Sequence, residues 1–197
     1  MSPGASREHR DGSESPARLD TPTPAILFAV FQTSNSANGG VESISQIIDR
    51  LPGNCCVVTQ LATDVNARWK TSGKDVQVFK LPYRVGDGFW KSTVGTKIRR
   101  LCSYLETNWQ ILRLIRKRKI QVLHCNDPAP FWHVVPAAVL CRVPVVLNLR
   151  GAKVGTGRSI ASKYQIKLSL IDRLLVLSRE MADSYASLVG RRFHRLA

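Results

Sequence analysis

Acidic residues are scarce in this sequence, which has 14 Asp and Glu against 29 Lys and Arg and a formal net charge of +15 over 197 residues. The first 24 residues contain three arginines and four acidic residues, so the positive charge belongs to the rest of the chain. A basic surface favours an anionic partner: a phosphate-bearing ligand, an acidic membrane surface or nucleic acid. Nucleic acid is unlikely on this sequence, because it has no helix-turn-helix, zinc-finger or RNP-type pattern.

Long apolar runs and metal-type cysteine spacings are also lacking. No stretch reaches the roughly 18 apolar residues of a membrane span, and the N-terminus lacks the apolar core of a secretory signal. The five cysteines form an odd set without a C-x-x-C pair; they are Cys55, Cys56, Cys102, Cys125 and Cys141. Such a set fits reduced thiols. We therefore expect a cytoplasmic protein whose cysteines hold no metal.

The order of the apolar runs predicts the fold class. Residues 1–24 are rich in Ser, Pro, Gly and charge, which is typical of a disordered tail. From residue 25 to about residue 190, six short apolar runs alternate with helical patterns. This alternation predicts an α/β, Rossmann-like three-layer domain with a mostly parallel sheet of about six strands. Residues 191–197 form an irregular C-terminal end with no recognisable element.

A parallel sheet of this kind binds ligands at the carboxyl ends of its strands, and the first such loop contains Gly39 and Gly40. We expect both glycines in a turn between a buried strand and an amphipathic helix. There they would let an anionic group approach the backbone at the helix N-terminus, although a tight turn without a ligand is the alternative. The spacing is neither the G-x-G-x-x-G fingerprint nor a P-loop, which counts against an NAD-dependent enzyme.

Later loops contain further candidate residues. Asp127, after the fourth strand, could hold a substrate hydroxyl or accept its proton, or it could cap the next helix. His124 is expected to be a core or strand-end histidine rather than a base. Ser178, after the sixth strand, is expected to cap the last helix.

The loop after the fifth strand combines glycines with cations. Arg150, Gly151 and Lys153 lie in this loop, and backbone N–H groups together with Arg and Lys make a phosphate receptor. A flexible basic surface loop is the alternative interpretation.

A basic helix is predicted over residues 97–119, with eight cations and Glu106 as its single acidic residue. Its apolar positions can face the sheet; they are Ile98, Leu101, Leu105, Leu112 and Ile115. The cations then form a solvated face, or they contact anionic lipid headgroups, where each contributes roughly 1 kcal/mol. The residues predicted to contact a membrane or another anion are Arg113, Arg116, Lys117 and Arg118.

Four segments together resemble a known family. In chain order they are Gly39–Glu42, Ile120–Pro128, Val145–Gly151 and Ile171–Tyr185. They resemble the N-terminal domain of the retaining family 4 glycosyltransferases, which have two Rossmann-like domains in the GT-B architecture. The resemblance covers about residues 25–190.

The resemblance implies an acceptor-side domain of an enzyme that transfers a sugar from a nucleotide-sugar to a glycan or lipid-linked acceptor. It implies no metal and no other cofactor, and a cytoplasmic protein at the inner face of the membrane. The substrate and its phosphates would be bound by Gly39, Gly40, Asn126, Arg150, Gly151 and Lys153. The alternative to an enzyme is a non-catalytic Rossmann-like module that binds an anionic membrane surface or a partner protein.

The sequence departs from the family pattern in two ways. Many relatives have a histidine two residues after the position of His124, whereas this chain has Asn126, which cannot act as a base. Asp127 therefore becomes the candidate catalytic residue. The family's donor-binding domain uses two glutamates eight positions apart, and no two glutamates of this chain have that spacing. We expect the donor domain to be absent, the chain alone to be inactive, and a separate donor-domain chain or further sequence to complete it.

Overall fold

The computed structural model describes residues 24–31, 39–51, 55–59, 64–78, 93–126, 128, 130–149 and 168–183. The predicted N-terminal tail and C-terminal end lie outside these ranges. The first half of the described chain contains β1 (Ile26–Ala29), α1 (Gly39–Arg50), β2 (Cys55–Thr59), α2 (Asp64–Thr71) and β3 (Asp75–Val78). The second half contains α3 (Val94–Arg118), β4 (Val122–Cys125), α4 (Phe131–Leu140), β5 (Val145–Leu149) and β6 (Arg173–Val176).

The strands form one six-stranded sheet in the order β3-β2-β1-β4-β5-β6. All neighbouring pairs are parallel, and Ile26 of β1 lies between Cys55 of β2 and Val122 of β4. The chain moves outward from β1 on one side and from β4 on the other, so the strand order reverses between these two strands. The predicted Rossmann-like parallel sheet is confirmed, and its ligand crevice is expected at this reversal.

Helices cover both faces of the sheet. Successive side chains along a strand point to opposite faces, so each strand contributes to two cores. Phe28 of β1 packs with Ile44 and Ile48 of α1 and Trp69 of α2. On the opposite face, Leu27 packs in a second core with residues of α3 and α4. The buried members from these two helices include Ile111, Ile115, Phe131, Val134 and Ala138. The result is three layers.

Helix α3 is much longer than the strands beside it. At 1.5 Å per residue its 25 residues span about 37 Å, whereas a strand of four or five residues spans about 13–17 Å. The helix ends at Arg118, with Lys119 as its C-cap, shortly before β4 begins at Val122, so its last turns lie at the amino edge of the sheet. Thr107 contacts His133 in the first turn of α4, which follows β4. Residues 94–106 therefore extend beyond the carboxyl edge.

This overhang corrects one prediction from the sequence. Leu112 and Ile115 pack against the core as expected, but Ile98, Leu101 and Leu105 are exposed. The prediction that these three side chains face the sheet was wrong because their part of α3 lies past the end of the sheet. The inward side of the same turns is polar instead.

Candidate functional site

The carboxyl edge at the reversal between β1 and β4 is the candidate site. The backbone N–H of Asn126 donates to the carbonyl of Ala29 at 3.0 Å, so the chain leaving β4 is tied to the end of β1. The Asn126 side chain is buried. Gly39 and Gly40 are the first two residues of α1 rather than a turn before it. Their position at a helix N-terminus keeps free backbone N–H groups available to an anion.

His124 is a buried residue within β4, as the sequence predicted. Its ring lies 5.2 Å from the ring of Phe28, between centroids, in the first core. This position makes it part of the packing beneath the site.

A second histidine, His133, was missed by the sequence reasoning. It lies in the first turn of α4, and its ring stacks on Phe31 at 5.7 Å and contacts Tyr104 at 4.6 Å, measured between centroids. Its Nδ1 lies 3.2 Å from the hydroxyl of Thr107. The same hydroxyl lies 2.8 Å from the carbonyl of Ser103. When the hydroxyl donates to that carbonyl, the tautomer of His133 with a proton on Nδ1 donates to Thr107. Burial lowers the pKa of His133 to about 4, which keeps the ring neutral at pH 7.

Arg100 is another residue of α3 that the sequence reasoning placed wrongly. It was counted among the solvated cations of the basic helix, but its side chain is buried. Arg100, Ser103 and Thr107 form a polar row on the inward side of α3, and Ile111 and Ile115 continue the same row into the core. The spacing of three and four residues shows that these side chains share one face of α3, but it does not show that this face points inward. The row places a guanidinium in the overhanging half of α3, on the carboxyl side of the sheet.

Helix α4 begins at Phe131, and Pro130 occupies its N-cap position. Asp127 lies outside the described residues, and so do Arg150, Gly151 and Lys153; their roles stay predictions. The predicted role of Ser178 as the cap of the helical segment that follows β6 is confirmed, since the N–H of Met181 donates to Ser178 Oγ at 3.3 Å.

The four predicted contact residues near the end of α3 have different surroundings. Arg118 pairs with Asp75 at 2.7 Å, and both line a cavity of about 730 Å³ at the amino edge, together with Lys117. Arg113 instead lies over the ring of Trp109, with 5.9 Å from its guanidinium carbon to the ring centroid. Arg113 and Arg116 are exposed. The cavity lies at the amino edge of the sheet, whereas the candidate site lies at the carboxyl edge, so the two are separate.

The described residues contain neither a metal-binding cluster nor a helix that could span a membrane. Their His, Cys, Asp and Glu side chains include no group of three arranged to hold a metal ion. Among the same residues, no helix is long and apolar enough to cross a membrane.

The family model of Glycosyltransferase Family 4 matches residues 58–196, which is more than half of the chain. The chain belongs to this family. A comparison with curated proteins found no match. The resemblance inferred from the four sequence segments is therefore confirmed at the level of the family.

Solved glycosyltransferase structures share the fold of this family 4 chain. HepE from Anabaena in complex with UDP matches with a TM-score of 0.58 at 13% identity, over 84% of this chain and 41% of its own. A glycosyltransferase from Rickettsia africae gives 0.53 at 13% identity, over 86% and 51%. MurG from Acinetobacter baumannii gives 0.50 at 10% identity, over 78% and 41%. The chain thus spans between 41% and 51% of the length of these structures.

Proposed function

We propose that this chain is the acceptor-side domain of a glycosyltransferase. With a donor domain, it transfers a sugar from a nucleotide-sugar to a glycan or lipid-linked acceptor. The observation that carries this proposal is the Glycosyltransferase Family 4 match over residues 58–196. HepE, which shares the fold, has been crystallised with UDP-glucose. Family membership favours this enzyme over the non-catalytic module.

The strand reversal supplies a place for the reacting groups. In the proposed complex, the diphosphate of the nucleotide-sugar approaches Gly39 and Gly40, where the N-terminus of α1 favours negative charge. Asn126, held against the end of β1, lines the same edge. Asp127 follows it directly and is proposed to hold the acceptor hydroxyl and take its proton.

Cations offset the charge that develops on the departing diphosphate. Arg150, Gly151 and Lys153 are proposed to bind phosphate from the loop after β5. Arg100 adds a buried guanidinium from α3. A guanidinium can donate two parallel hydrogen bonds to one phosphate or carboxylate. No metal or other cofactor is part of the proposed reaction.

The chain spans between 41% and 51% of the matched structures, and we propose that the complete enzyme also has a donor domain. We propose that further sequence or a separate chain supplies it, and that the 197-residue chain alone does not transfer sugar. The enzyme is proposed to act in the cytoplasm, at the inner face of the membrane where lipid-linked acceptors are found.

Acceptor binding can be tested without a donor domain. The purified chain is applied to an array of glycans and lipid-linked saccharides, and the dissociation constant of each ligand bound is measured by calorimetry. Asp127→Asn removes a charged hydrogen-bond acceptor and should raise that constant about 10- to 100-fold. Asp183→Asn changes the same chemistry on an exposed residue after β6 and should leave it unchanged.

Two outcomes would overturn the proposal. One is a chain that binds no saccharide acceptor, and the other is release of nucleoside diphosphate from a nucleotide-sugar by the chain alone. Addition of the completing donor domain should instead be required for that release, measured with a coupled assay over a panel of nucleotide-sugars.

A further inference from the structure

The cavity at the amino edge of the sheet is lined by cations from two separate parts of the chain. One is Lys74, which lies between α2 and β3. The others come from the end of α3; they are Lys117, Arg118 and Lys119. Among the described residues of its wall, Asp75 is the one acidic residue. We call this space the amino-edge cavity. Four cations against one carboxylate make it strongly positive.

Attraction to the end of a helix does not explain the whole set. The free carbonyl groups at the C-terminus of α3 favour Lys117, Arg118 and Lys119 nearby. Lys74 belongs to a different element and is half-buried. Its Nζ donates to the carbonyl of Leu51 at 2.6 Å, which holds the ammonium group in place. An ammonium group has three N–H donors, so two of them remain for a ligand.

The cations from α3 also keep donors that the fold does not use. The Nη2 atom of Arg118 lies 2.7 Å from Oδ2 of Asp75, and this is the ion pair of the cavity wall in the described part of the chain. Within that part, the ammonium groups of Lys117 and Lys119 have neither an ion pair nor a hydrogen bond to a side chain or carbonyl. The protein thus leaves most of the positive charge of this cavity without a partner of its own.

Lys119 has a backbone conformation that favours glycine. It is the C-cap of α3, with φ of 50° and ψ of 44° in the left-handed region. A residue with a Cβ has a steric cost there, and glycine is the common residue at such helix ends. Backbone strain of this kind is often found at functional sites. Here it accompanies a cation on the wall of the cavity.

The size and the lining of the amino-edge cavity define the class of anion. Its volume of about 730 Å³ lies within the roughly 300–1,000 Å³ of small-molecule sites. Cations on several sides can donate to more than one phosphate group at once. The described wall residues include no aromatic side chain on which a nucleobase could stack. These features favour two linked phosphates over a single phosphate, and they offer nothing specific to a nucleoside.

We propose that the amino-edge cavity binds a diphosphate group. Its donors are Lys74, Lys117, Arg118 and Lys119. The diphosphate can be free pyrophosphate or part of a nucleoside diphosphate, which share this chemistry. The inference goes beyond sugar transfer, because the cavity lies at the opposite edge of the sheet from the candidate site and needs neither donor nor acceptor. A bound diphosphate would link the segment after α2 to the end of α3 and offset their charge, so it should stabilise the domain.

Calorimetric titration of the full 197-residue chain with sodium pyrophosphate tests the proposal. The buffer contains about 0.15 M NaCl, which screens nonspecific attraction between exposed charges, and no divalent cation. We expect saturable binding of one pyrophosphate per chain. The dissociation constants of orthophosphate and of sulfate should be at least about tenfold higher, because either ion leaves charged donors unused. UDP should bind no more tightly than pyrophosphate, since the nucleoside finds no ring to stack on.

A variant at Lys119 separates ligand binding from stability. Lys119→Gly removes one charged donor and should raise the dissociation constant for pyrophosphate about tenfold. Its melting temperature should stay the same or rise by about 2 °C, because glycine adopts positive φ without the steric cost. Arg99→Gln is the control; it removes one exposed cation about 27 Å along α3 from Lys117 and should change binding less than about twofold.

A variant at Asp75 should act in the opposite direction. Asp75→Asn removes the carboxylate that pairs with Arg118, so the guanidinium is released for the ligand. We expect the dissociation constant for pyrophosphate to fall about threefold. Pyrophosphate should also raise the melting temperature of the unchanged chain, and this rise should be lost when Lys117→Gln is combined with Lys119→Gly.

Several results would overturn the inference. They are no binding of pyrophosphate, binding of sulfate or orthophosphate that is equally tight, or equal effects of Lys119→Gly and Arg99→Gln. Tighter binding of UDP that Lys119→Gly also weakens would mean that the cavity recognises the nucleoside, contrary to its lining. None of these measurements involves a saccharide, so their outcome is independent of the proposed sugar transfer.

Discussion

At the scale of single residues, the neutral state of His133 has a consequence for stability. An unfolded histidine has a pKa near 6.5, whereas burial lowers that of His133 to about 4 in the fold. Between these values the unfolded chain binds a proton that the native protein does not. The contribution of His133 to stability is therefore fully present above about pH 6.5 and is lost as the pH falls toward 4.

We predict that this loss reaches on the order of 3 kcal/mol at pH 4, since each unit of pKa difference corresponds to about 1.4 kcal/mol. Urea unfolding at a series of pH values measures it, with His133→Gln compared against the unchanged chain. The variant should be less stable near pH 7 but lose less stability on acidification. His9→Gln, in the predicted tail, is the control for histidine titration in general. Parallel pH profiles for the unchanged chain and His133→Gln would contradict the prediction.

Individual residues were predictable where the signal is local. Ser178 follows a strand and precedes a helix, so its role as a cap depends on neighbours in sequence, and that role was predicted correctly. His133 and Arg100 were missed because their environment depends on where α3 and α4 meet, through contacts between residues 24 to 29 positions apart in the sequence. Asp127, Arg150, Gly151 and Lys153 remain predictions.

At the scale of elements, the contact between α3 and α4 is specified by a proline and an asparagine. Pro136 lies inside α4 and has no N–H, so the carbonyl of Trp132 loses its helical donor. Asn108 of α3 replaces it, with Nδ2 donating to that carbonyl at 2.7 Å. Its Oδ1 accepts from the N–H of Ala137 at 3.0 Å. One side chain thus satisfies the carbonyl left by the proline and also binds the N–H of the residue after it.

We predict that Asn108→Ala lowers the free energy of unfolding by about 1–3 kcal/mol, because it leaves two helical backbone groups without this partner. In a Pro136→Ala background the cost should be smaller, since the restored N–H at position 136 can bond the carbonyl of Trp132. A double-mutant cycle by urea unfolding measures the difference. Gln110→Ala, at an exposed position two residues away, is the control. Equal costs in the two backgrounds would show that the proline and the asparagine act independently.

The elements themselves were largely predictable, but the orientation of α3 was not. Short apolar runs between helical patterns identified the six strands, and alternation with helices implied their parallel pairing. In α3, however, the exposed apolar row from Val94 to Trp109 and the buried row from Arg100 to Ile115 have the same helical period, so periodicity does not tell which one faces the sheet. That choice follows from the lengths of α3 and of the strands, and from the position of α4.

At the scale of the whole molecule, positive charge is far from balanced. The net charge is +15, and the ion pairs found among the described residues are Arg68 with Glu42, Arg68 with Asp49, and Arg118 with Asp75. These pairs are partly exposed and each contributes little. Repulsion within this excess of cations therefore opposes the compact state, and unfolding relieves it by spreading the charges apart.

We predict that NaCl raises the melting temperature, because at about 0.15 M salt the screening length falls to roughly 8 Å and repulsion between distant cations is suppressed. Each kcal/mol of relief corresponds to about 2–4 °C for a domain of this size. Differential scanning calorimetry from low to physiological salt measures the shift. A variant with Lys97, Arg99, Arg113 and Arg116 all changed to Gln carries four fewer charges and should show a smaller shift. A melting temperature that falls with NaCl would instead mean that attraction between opposite charges outweighs the repulsion. The basic surface would then stabilise the fold, and the view that it lowers stability in exchange for binding an anionic partner would be wrong.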